Sequence, residues 1–160
     1  MRALLLEDPH SNADEALVRA GVQVVRRPGA LDEDELIDAL DGVDVLGIRS
    51  KTAITERVLE AQPQLLAVGA FGIGTNQIDL EAAAHRGVAV FNAPFSNTRS
   101  VVELAIGEII ALARRLTVCD DLMHQGLWQK SSAGSHEVRG LTLGIVGYGN
   151  IGSQLSVVAV

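Results

Sequence analysis

Three glycines spaced as Gly-x-Gly-x-x-Gly are the clearest chemical signal in the sequence. They are Gly147, Gly149 and Gly152, and they follow an apolar run, Leu141–Val146, that is typical of a buried strand. In a strand–turn–helix unit the first glycine permits the tight turn, the second lets the backbone approach a pyrophosphate, and the third lets the helix pack closely. The pattern predicts a dinucleotide site at a helix N-terminus. A glycine-rich turn in an ordinary αβ unit is the alternative.

Two more candidate sites follow apolar runs that predict strands. Arg49-Ser50-Lys51-Thr52 comes after Val43–Ile48, and the sequence GAFGIG at residues 69–74 comes after Leu65–Val68. In open αβ sheets, ligands lie outside the carboxyl ends of strands. The cations and hydroxyls of the first segment suit a phosphate or a carboxylate, and the second could form an anion nest of backbone amides. A solvated turn and a loop that merely needs positive φ angles are the alternatives.

The remaining polar residues give weaker signals. Asn92–Thr98 follows a further apolar run, so its amides and hydroxyls could meet a ligand or cap the next helix. No two of the four histidines have metal-ligand spacing, and Cys119 has no evident histidine partner. We therefore predict no metal site and no catalytic nucleophile.

Short apolar runs recur about every twenty residues over the first ninety, which is the length of a strand plus its crossover helix. The runs are Leu4–Leu6, Val22–Val25, Val43–Ile48, Leu65–Val68 and Val88–Phe91. Segments with helical spacing lie between them, and Asp79 is a candidate cap for a helix over Leu80–Arg86 that Gly87 ends. The pattern predicts an α/β fold with an open parallel sheet and helices on both faces.

A long helix is predicted over residues 100–116, where apolar residues occur on nearly every face. Ser100 and Glu103 match a capping box, with Thr98 as a competing cap. We expect this helix to be buried on several sides, as a connector between domains or subunits. A short helix and a polar loop should follow over 117–140, and the valine-rich end, Ser156–Val160, is poor helix material.

Composition excludes several classes of protein. The 160 residues are 48% hydrophobic and 21% charged, which indicates a folded soluble protein. A net charge of -7 and only 3% aromatic residues argue against nucleic-acid binding. No apolar stretch reaches the roughly 18 residues that a membrane span needs, and we expect a cytoplasmic location.

Several segments together resemble the D-isomer-specific 2-hydroxyacid dehydrogenases. The resemblance runs over nearly the whole chain, and its most specific stretch is FNAPFSNTRSV at 91–101. The other matching segments are GIRS at 47–50, GIGTNQID at 72–79, Arg139-Gly140 and GYGNIGSQL at 147–155.

The resemblance implies a flavodoxin-like parallel-sheet substrate domain over 1–97, then a connector helix and the truncated start of a Rossmann NAD-binding domain over 98–160. It implies NAD-linked oxidation of a phosphorylated D-2-hydroxy acid, 3-phospho-D-glycerate. By the family pattern, Arg49 and Ser50 bind the substrate phosphate with Asn97 nearby, and the amides of Gly72 and Ile73 face its carboxylate. Lys51 joins this predicted substrate-binding set because it is a cation in the same segment as Arg49. The predicted cofactor-binding residues are Gly147, Gly149, Asn150, Ile151 and Gly152, and the family pattern places Asn150 and Ile151 at the pyrophosphate.

The family's catalytic Arg, Glu and His, and its ribose-binding acid, follow the glycine motif and have no counterpart here. We therefore expect a truncation or frameshift, no catalytic residue in this chain and no activity by the chain alone, and the choice between NAD and NADP stays open. The helix over 100–116 should mediate homo-oligomerisation. The alternatives are a dehydrogenase for another D-2-hydroxy acid, or a non-catalytic binding or interaction module.

Overall fold

Five parallel strands form one sheet in the first part of the chain. They are β1 (Arg2–Leu6), β2 (Gln23–Arg27), β3 (Val45–Ile48), β4 (Ala67–Ala70) and β5 (Ala89–Asn92). The order across the sheet is β2-β1-β3-β4-β5. This order confirms the predicted α/β fold and its flavodoxin-like character. The computed structural model describes all 160 residues, which divide into a first unit, Met1–Ser96, and a second unit, Asn97–Val160.

Four helices connect the strands, and side-chain caps fix where three of them begin. The helices are α1 (Asn12–Arg19), α2 (Glu33–Ala39), α3 (Glu56–Ala61) and α4 (Leu80–His85). Asp32 forms a capping box with Glu35 at the start of α2, and Thr55 accepts from an amide of α3. The Asp79 carboxylate accepts from the Ala82 amide at 2.9 Å, which confirms Asp79 as the cap of α4.

The core lies where β1, β3 and β4 meet the helices. Four of the five residues of β1 are buried, as are three of the four residues of β3. Leu4, Leu46 and Val68 are at most 2% exposed. Burying each leucine contributes about 1.5–3 kcal/mol, so these central strands hold the sheet rigid and fix where its loops emerge.

The second unit contains three helices, α5 (Thr98–Ala113), α6 (Leu116–His124) and α7 (Asn150–Val158). The predicted capping box is wrong, because Asn97 is the N-cap of α5 and Ser100 lies inside the helix. Thr98, the competing candidate, is also already helical, and Glu103 instead accepts from the Arg99 guanidinium at 2.6 Å. Without a capping side chain, α5 begins where the chain leaves the first unit.

The expectation that this helix is buried on several sides is also wrong within this chain. Only Thr98 and Val102 of α5 are buried, while Leu104 is 62% exposed and Leu112 is 76% exposed. The helix ends earlier than predicted, because Arg115 takes a left-handed conformation with φ of 54° and α6 starts anew. Short helices at this place leave much of the apolar surface uncovered.

Two predictions for the glycine-motif region fail for opposite reasons. Leu141–Val146 forms no strand, because no neighbouring strand in the second unit offers it a hydrogen-bonding ladder, and Val146 is fully exposed. The valine-rich end is helical through Val158, because α7 packs against α5. Packing outweighs the weak helix propensity of valine, which costs only about 0.5 kcal/mol per residue.

Every aromatic side chain is exposed. Phe71, Phe91 and Phe95 lie in the first unit, whereas Trp128 and Tyr148 lie in the second. None of the helices combines the length and the apolar character that crossing a bilayer would require.

Candidate functional site

The sheet changes direction between β1 and β3, and this place holds the first candidate site. β2 lies on one side of β1, whereas β3, β4 and β5 follow one another on its other side. In open α/β sheets, ligands bind beside the carboxyl ends of the strands at such a switch point. A cavity of about 250 Å³ lies here, and its lining residues are Glu7, Asp8, Gly29, Ala30, Arg49, Ser50 and Lys51.

The predicted cations and hydroxyl reach this cavity together. Arg49, Ser50 and Lys51 follow β3 directly and are all exposed. Neither cation has a carboxylate within ion-pair distance, although acids outnumber bases in the chain. Unpaired cations beside a free hydroxyl can bind a phosphate or carboxylate by charge-assisted hydrogen bonds.

Glu7 is a residue of this cavity that sequence reasoning missed. It follows β1, is 8% exposed, and its carboxylate accepts the amides of Ser50, Lys51 and Thr52 at 2.9, 3.0 and 2.8 Å. These partners lie 43 to 45 residues along the chain, so no local pattern reveals them. The available signal is an acid placed directly after an apolar strand.

The pKa of Glu7 reflects two opposed causes. Burial raises the pKa of this carboxyl, but hydrogen bonding from Thr52, Lys51 and Ser50 together outweighs burial and holds the pKa below its ordinary value of 4.5. Glu7 is therefore ionised at neutral pH. The hydrogen bonds of the ionised carboxylate stabilise the fold fully at pH values above 4.5, the ordinary pKa. This stabilisation is lost as the pH falls through the lowered pKa of Glu7.

The glycine-rich loop begins beside the Arg49 loop. Ile48 pairs with Ala70 in the sheet, and the Phe71 amide donates to the Ile48 carbonyl at 2.8 Å. The Gly72 amide donates to Ala70 at 2.8 Å, whereas the amide of Ile73 donates to no protein group. Ile73 therefore has the free donor of the two predicted residues, and a role for Gly72 stays a prediction.

Gln77 ties these two loops together. Its side-chain amide donates to the Arg49 carbonyl at 2.5 Å. Its own carbonyl accepts from the Ile54 amide at 2.7 Å, within a parallel bridge between Ile54 and Ile78. Sequence reasoning gave Gln77 no role, yet it fixes the loop that carries Arg49 relative to the loop that carries Ile73.

Asn97 belongs to the second unit, where it is the N-cap of α5. Its side chain is exposed and makes no capping hydrogen bond, while its carbonyl accepts from the Val101 amide at 3.0 Å. The amide side chain is thus free to bind a ligand, as predicted for a substrate contact, and that role stays a prediction.

The three motif glycines differ in what requires them. Gly147 has a φ of 93°, a backbone conformation that residues other than glycine rarely adopt. A Cβ at Gly152 would collide with the Gly147 carbonyl oxygen. Gly149 has an ordinary extended backbone, and a Cβ there would meet no protein atom within 4 Å. The chain itself therefore explains two of the glycines, and the open space at Gly149 fits the close approach of a ligand.

The N-terminus of α7 supplies donors beside that space. α7 begins at Asn150. The first amide to donate within the helical turn is that of Ser153, which donates to the Gly149 carbonyl at 3.0 Å. The amides of Asn150 and Ile151 have no helical partner and point along the positive end of the helix dipole. These features fit a pyrophosphate.

Sequence comparisons identify related proteins. The model of a family described as D-isomer specific 2-hydroxyacid dehydrogenase, catalytic domain, matches residues 3–154. A D-3-phosphoglycerate dehydrogenase of Haemophilus influenzae is 52% identical over 160 residues, which cover 99% of this chain and 39% of that protein. D-3-phosphoglycerate dehydrogenase 2 of Saccharomyces cerevisiae is 53% identical over 159 residues, which cover 99% and 34%. The chain thus spans about two fifths of the length of these relatives or less.

Solved structures agree with the fold. A protein of Thermus thermophilus matches with a TM-score of 0.90 and 29% identity, over 99% of this chain and 52% of that one. An NAD-dependent formate dehydrogenase of Staphylococcus aureus, solved in complex with NAD, matches with a TM-score of 0.77 and 26% identity, over 97% and 51%.

Proposed function

The chain belongs to the D-isomer specific 2-hydroxyacid dehydrogenase family, and on this basis we propose that it is part of a D-3-phosphoglycerate dehydrogenase. The proposed reaction is the oxidation of 3-phospho-D-glycerate to 3-phosphohydroxypyruvate with NAD, which supplies L-serine synthesis. The names of the relatives support the substrate. The single structural observation that carries the proposal is the pair of unpaired cations, Arg49 and Lys51, at the switch point of the sheet.

The substrate has two anionic ends, and the first unit offers donors for both. Arg49 has the planar guanidinium that binds two phosphate oxygens at once, while Ser50 and Lys51 add a hydroxyl and a point charge. The Ile73 amide is the free donor for the carboxylate, within the loop that Gly72 begins. Asn97, which belongs to the second unit, is proposed as a further polar contact of the substrate. A substrate without phosphate would use only part of this set.

NAD is the proposed cofactor, and the second unit would hold its pyrophosphate. Gly149 leaves the space, the amides of Asn150 and Ile151 supply donors, and Gly147 and Gly152 give the turn its shape. When bound, NAD supplies the acceptor for the hydride that leaves C2 of the hydroxy acid.

We propose that the 160 residues contribute binding groups rather than the proton acceptor for the substrate hydroxyl. Hydride removal from C2 needs a base for that proton and a cation to orient the forming carbonyl. The residues with these roles in the family have no match in this sequence, so we infer that the 160-residue chain alone does not turn over. A cytoplasmic location and self-association through the α5 region are further parts of the proposal.

Replacing Arg49 tests the proposal. In calorimetric titrations of the 160-residue chain with 3-phospho-D-glycerate, Arg49→Ala should weaken binding about 10- to 100-fold, as expected for a lost charge-assisted contact. Arg19→Ala, which removes an exposed arginine from α1, is the matched control and should change nothing.

D-lactate serves as the competing ligand in the same titrations. It should bind at least tenfold more weakly than the phosphorylated acid, because it has no phosphate for Arg49. Equal binding of the two ligands would favour a dehydrogenase for another 2-hydroxy acid. Unchanged phosphoglycerate binding by Arg49→Ala would refute the assigned site, and turnover of NAD by the chain would refute the inferred inactivity.

A further inference from the structure

We propose that Glu7 is a positioning residue for the anion site, because its carboxylate fixes the loop that presents Arg49, Ser50 and Lys51 to the cavity. The proposal rests on the proposed function, since it assumes that this loop binds the phosphate of the substrate. It adds a residue that follows β1 to a site whose two cations follow β3.

Both carboxylate oxygens of Glu7 are engaged by the loop backbone. One oxygen accepts from Ser50 and Lys51, at 2.9 and 3.0 Å, and the other accepts from Thr52 at 2.8 Å. Three successive amides that converge on one anion form a nest of the kind that often binds phosphate. Here the protein's own carboxylate fills the nest. A ligand phosphate must therefore be bound by the side chains of the loop rather than by these amides.

Because Glu7 accepts hydrogen bonds from backbone amides, the side chains of Arg49 and Lys51 remain free to bind a ligand. Glu7, Arg49 and Lys51 line the same cavity, yet no ion pair joins the carboxylate to either cation. A carboxylate that paired with the guanidinium would compete with the ligand for it. Because Glu7 bonds the amides instead, it orders the loop without occupying the groups that would bind phosphate.

The backbone that carries Glu7 is held in an uncommon conformation. Glu7 and Asp8 have φ of 63° and 49°, the left-handed region that costs such residues roughly 1 kcal/mol or more each. The Glu7 amide donates to the Gly29 carbonyl at 3.0 Å, which ties this turn to the segment after β2. Two successive strained residues indicate that the placement of this carboxylate, rather than a smooth exit from the strand, determines the local structure.

The main experiment compares charge removal at Glu7 with charge removal elsewhere. Glu7→Gln should weaken binding of 3-phospho-D-glycerate to the 160-residue chain at least tenfold, measured by calorimetry at neutral pH. Glu7→Asp keeps the charge with a shorter reach and should recover part of the affinity. Glu15→Gln, at an exposed acid in the first turn of α1, is the matched control and should bind like the unmodified chain.

Amide resonances separate positioning from general stability. In proton–nitrogen spectra of Glu7→Gln, the Ser50, Lys51 and Thr52 signals should move while those of the sheet strands stay in place. If Glu7→Gln does not fold, the unmodified chain gives the test. The same three signals should then titrate with one midpoint below pH 4.5, the ordinary value.

The charged groups that line the cavity with Glu7 are Asp8, Arg49 and Lys51. Asp8→Asn, which removes the other carboxylate that lines the cavity, should leave the midpoint in place. If the unmodified chain binds the ligand and Glu7→Gln binds equally well, the positioning role is wrong and the proposed function stands. Three loop signals without a common acidic midpoint would also overturn the role. If the unmodified chain binds no phosphoglycerate, the proposed function falls and the role falls with it.

Discussion

The two units of the chain use similar apolar residues with opposite results. In the first unit, leucines and valines of the central strands are buried within a closed core. In the second unit, Val102 is the only apolar residue in the buried set, and residues such as Leu112 and Val146 are largely or fully exposed. The difference teaches that apolar composition alone does not make a core. Strands that pair with neighbours on both sides give helices a surface to cover.

The segments β1 and 141–146 show this directly, since both are strand-length apolar runs. β1 pairs in parallel with β2 on one side and β3 on the other. Residues 141–146 have no strand beside them and remain irregular. A ladder, rather than the run itself, makes the strand.

The largest effect should come from a core leucine of the first unit. Leu46→Ala, on β3 and fully buried, should destabilise the first unit by about 3 kcal/mol, because it leaves a cavity between sheet and helices. Leu112→Ala, on α5, should change stability by less than about 0.5 kcal/mol. Amide hydrogen exchange, read in each unit separately, measures both. Similar losses for the two variants would contradict the contrast between the units.

The glycine motif should give an intermediate effect that is confined to the second unit. Gly152→Ala forces a methyl group against the Gly147 carbonyl and should destabilise α7 by about 2 kcal/mol. This loss exceeds the stabilisation that the higher helix propensity of alanine provides. Gly149→Ala meets open space and should leave stability within about 0.5 kcal/mol. Exchange of the α7 amides provides the measurement. Equal destabilisation by both variants would show that Gly149 has an internal role.

The helix caps should give the smallest effect and sharpen the contrast further. Asp79→Ala removes the carboxylate that accepts from α4 and should cost the first unit about 1 kcal/mol. Ser100→Ala should cost almost nothing, because Ser100 lies within α5 and caps no amide. Denaturant unfolding followed by circular dichroism compares the two. A clear loss for Ser100→Ala would restore the capping box that the structure contradicts.

The sheet could be predicted because its signal is local and repeated. All five apolar runs became strands, but the observed strands begin or end one or two residues away, as in Val22–Val25 against Gln23–Arg27. A buried run includes residues that enter the core before or after the ladder, so burial marks a strand without fixing its ends. The long helix was misjudged because an apolar helix predicts burial only where partners exist.

The site was predictable in its loops and hidden in its long-range contacts. The position after β3 indicated Arg49, Ser50 and Lys51, and these three residues line one cavity. Glu7 and Gln77 were missed because their partners come from distant parts of the chain, through the register of the sheet and the bridge between Ile54 and Ile78. Their roles follow from topology, which the sequence specifies only after the strand order is known.

The distribution of aromatic side chains decides what optical methods can follow in this protein. Trp128 and Tyr148 both lie in the second unit, whereas the first unit has only phenylalanines. Intrinsic fluorescence and absorbance at long ultraviolet wavelengths therefore report on the second unit and do not detect melting of the sheet. Phe91→Trp, on the exposed edge strand β5, would place a fluorescent reporter in the first unit, which contains Arg49 and Lys51.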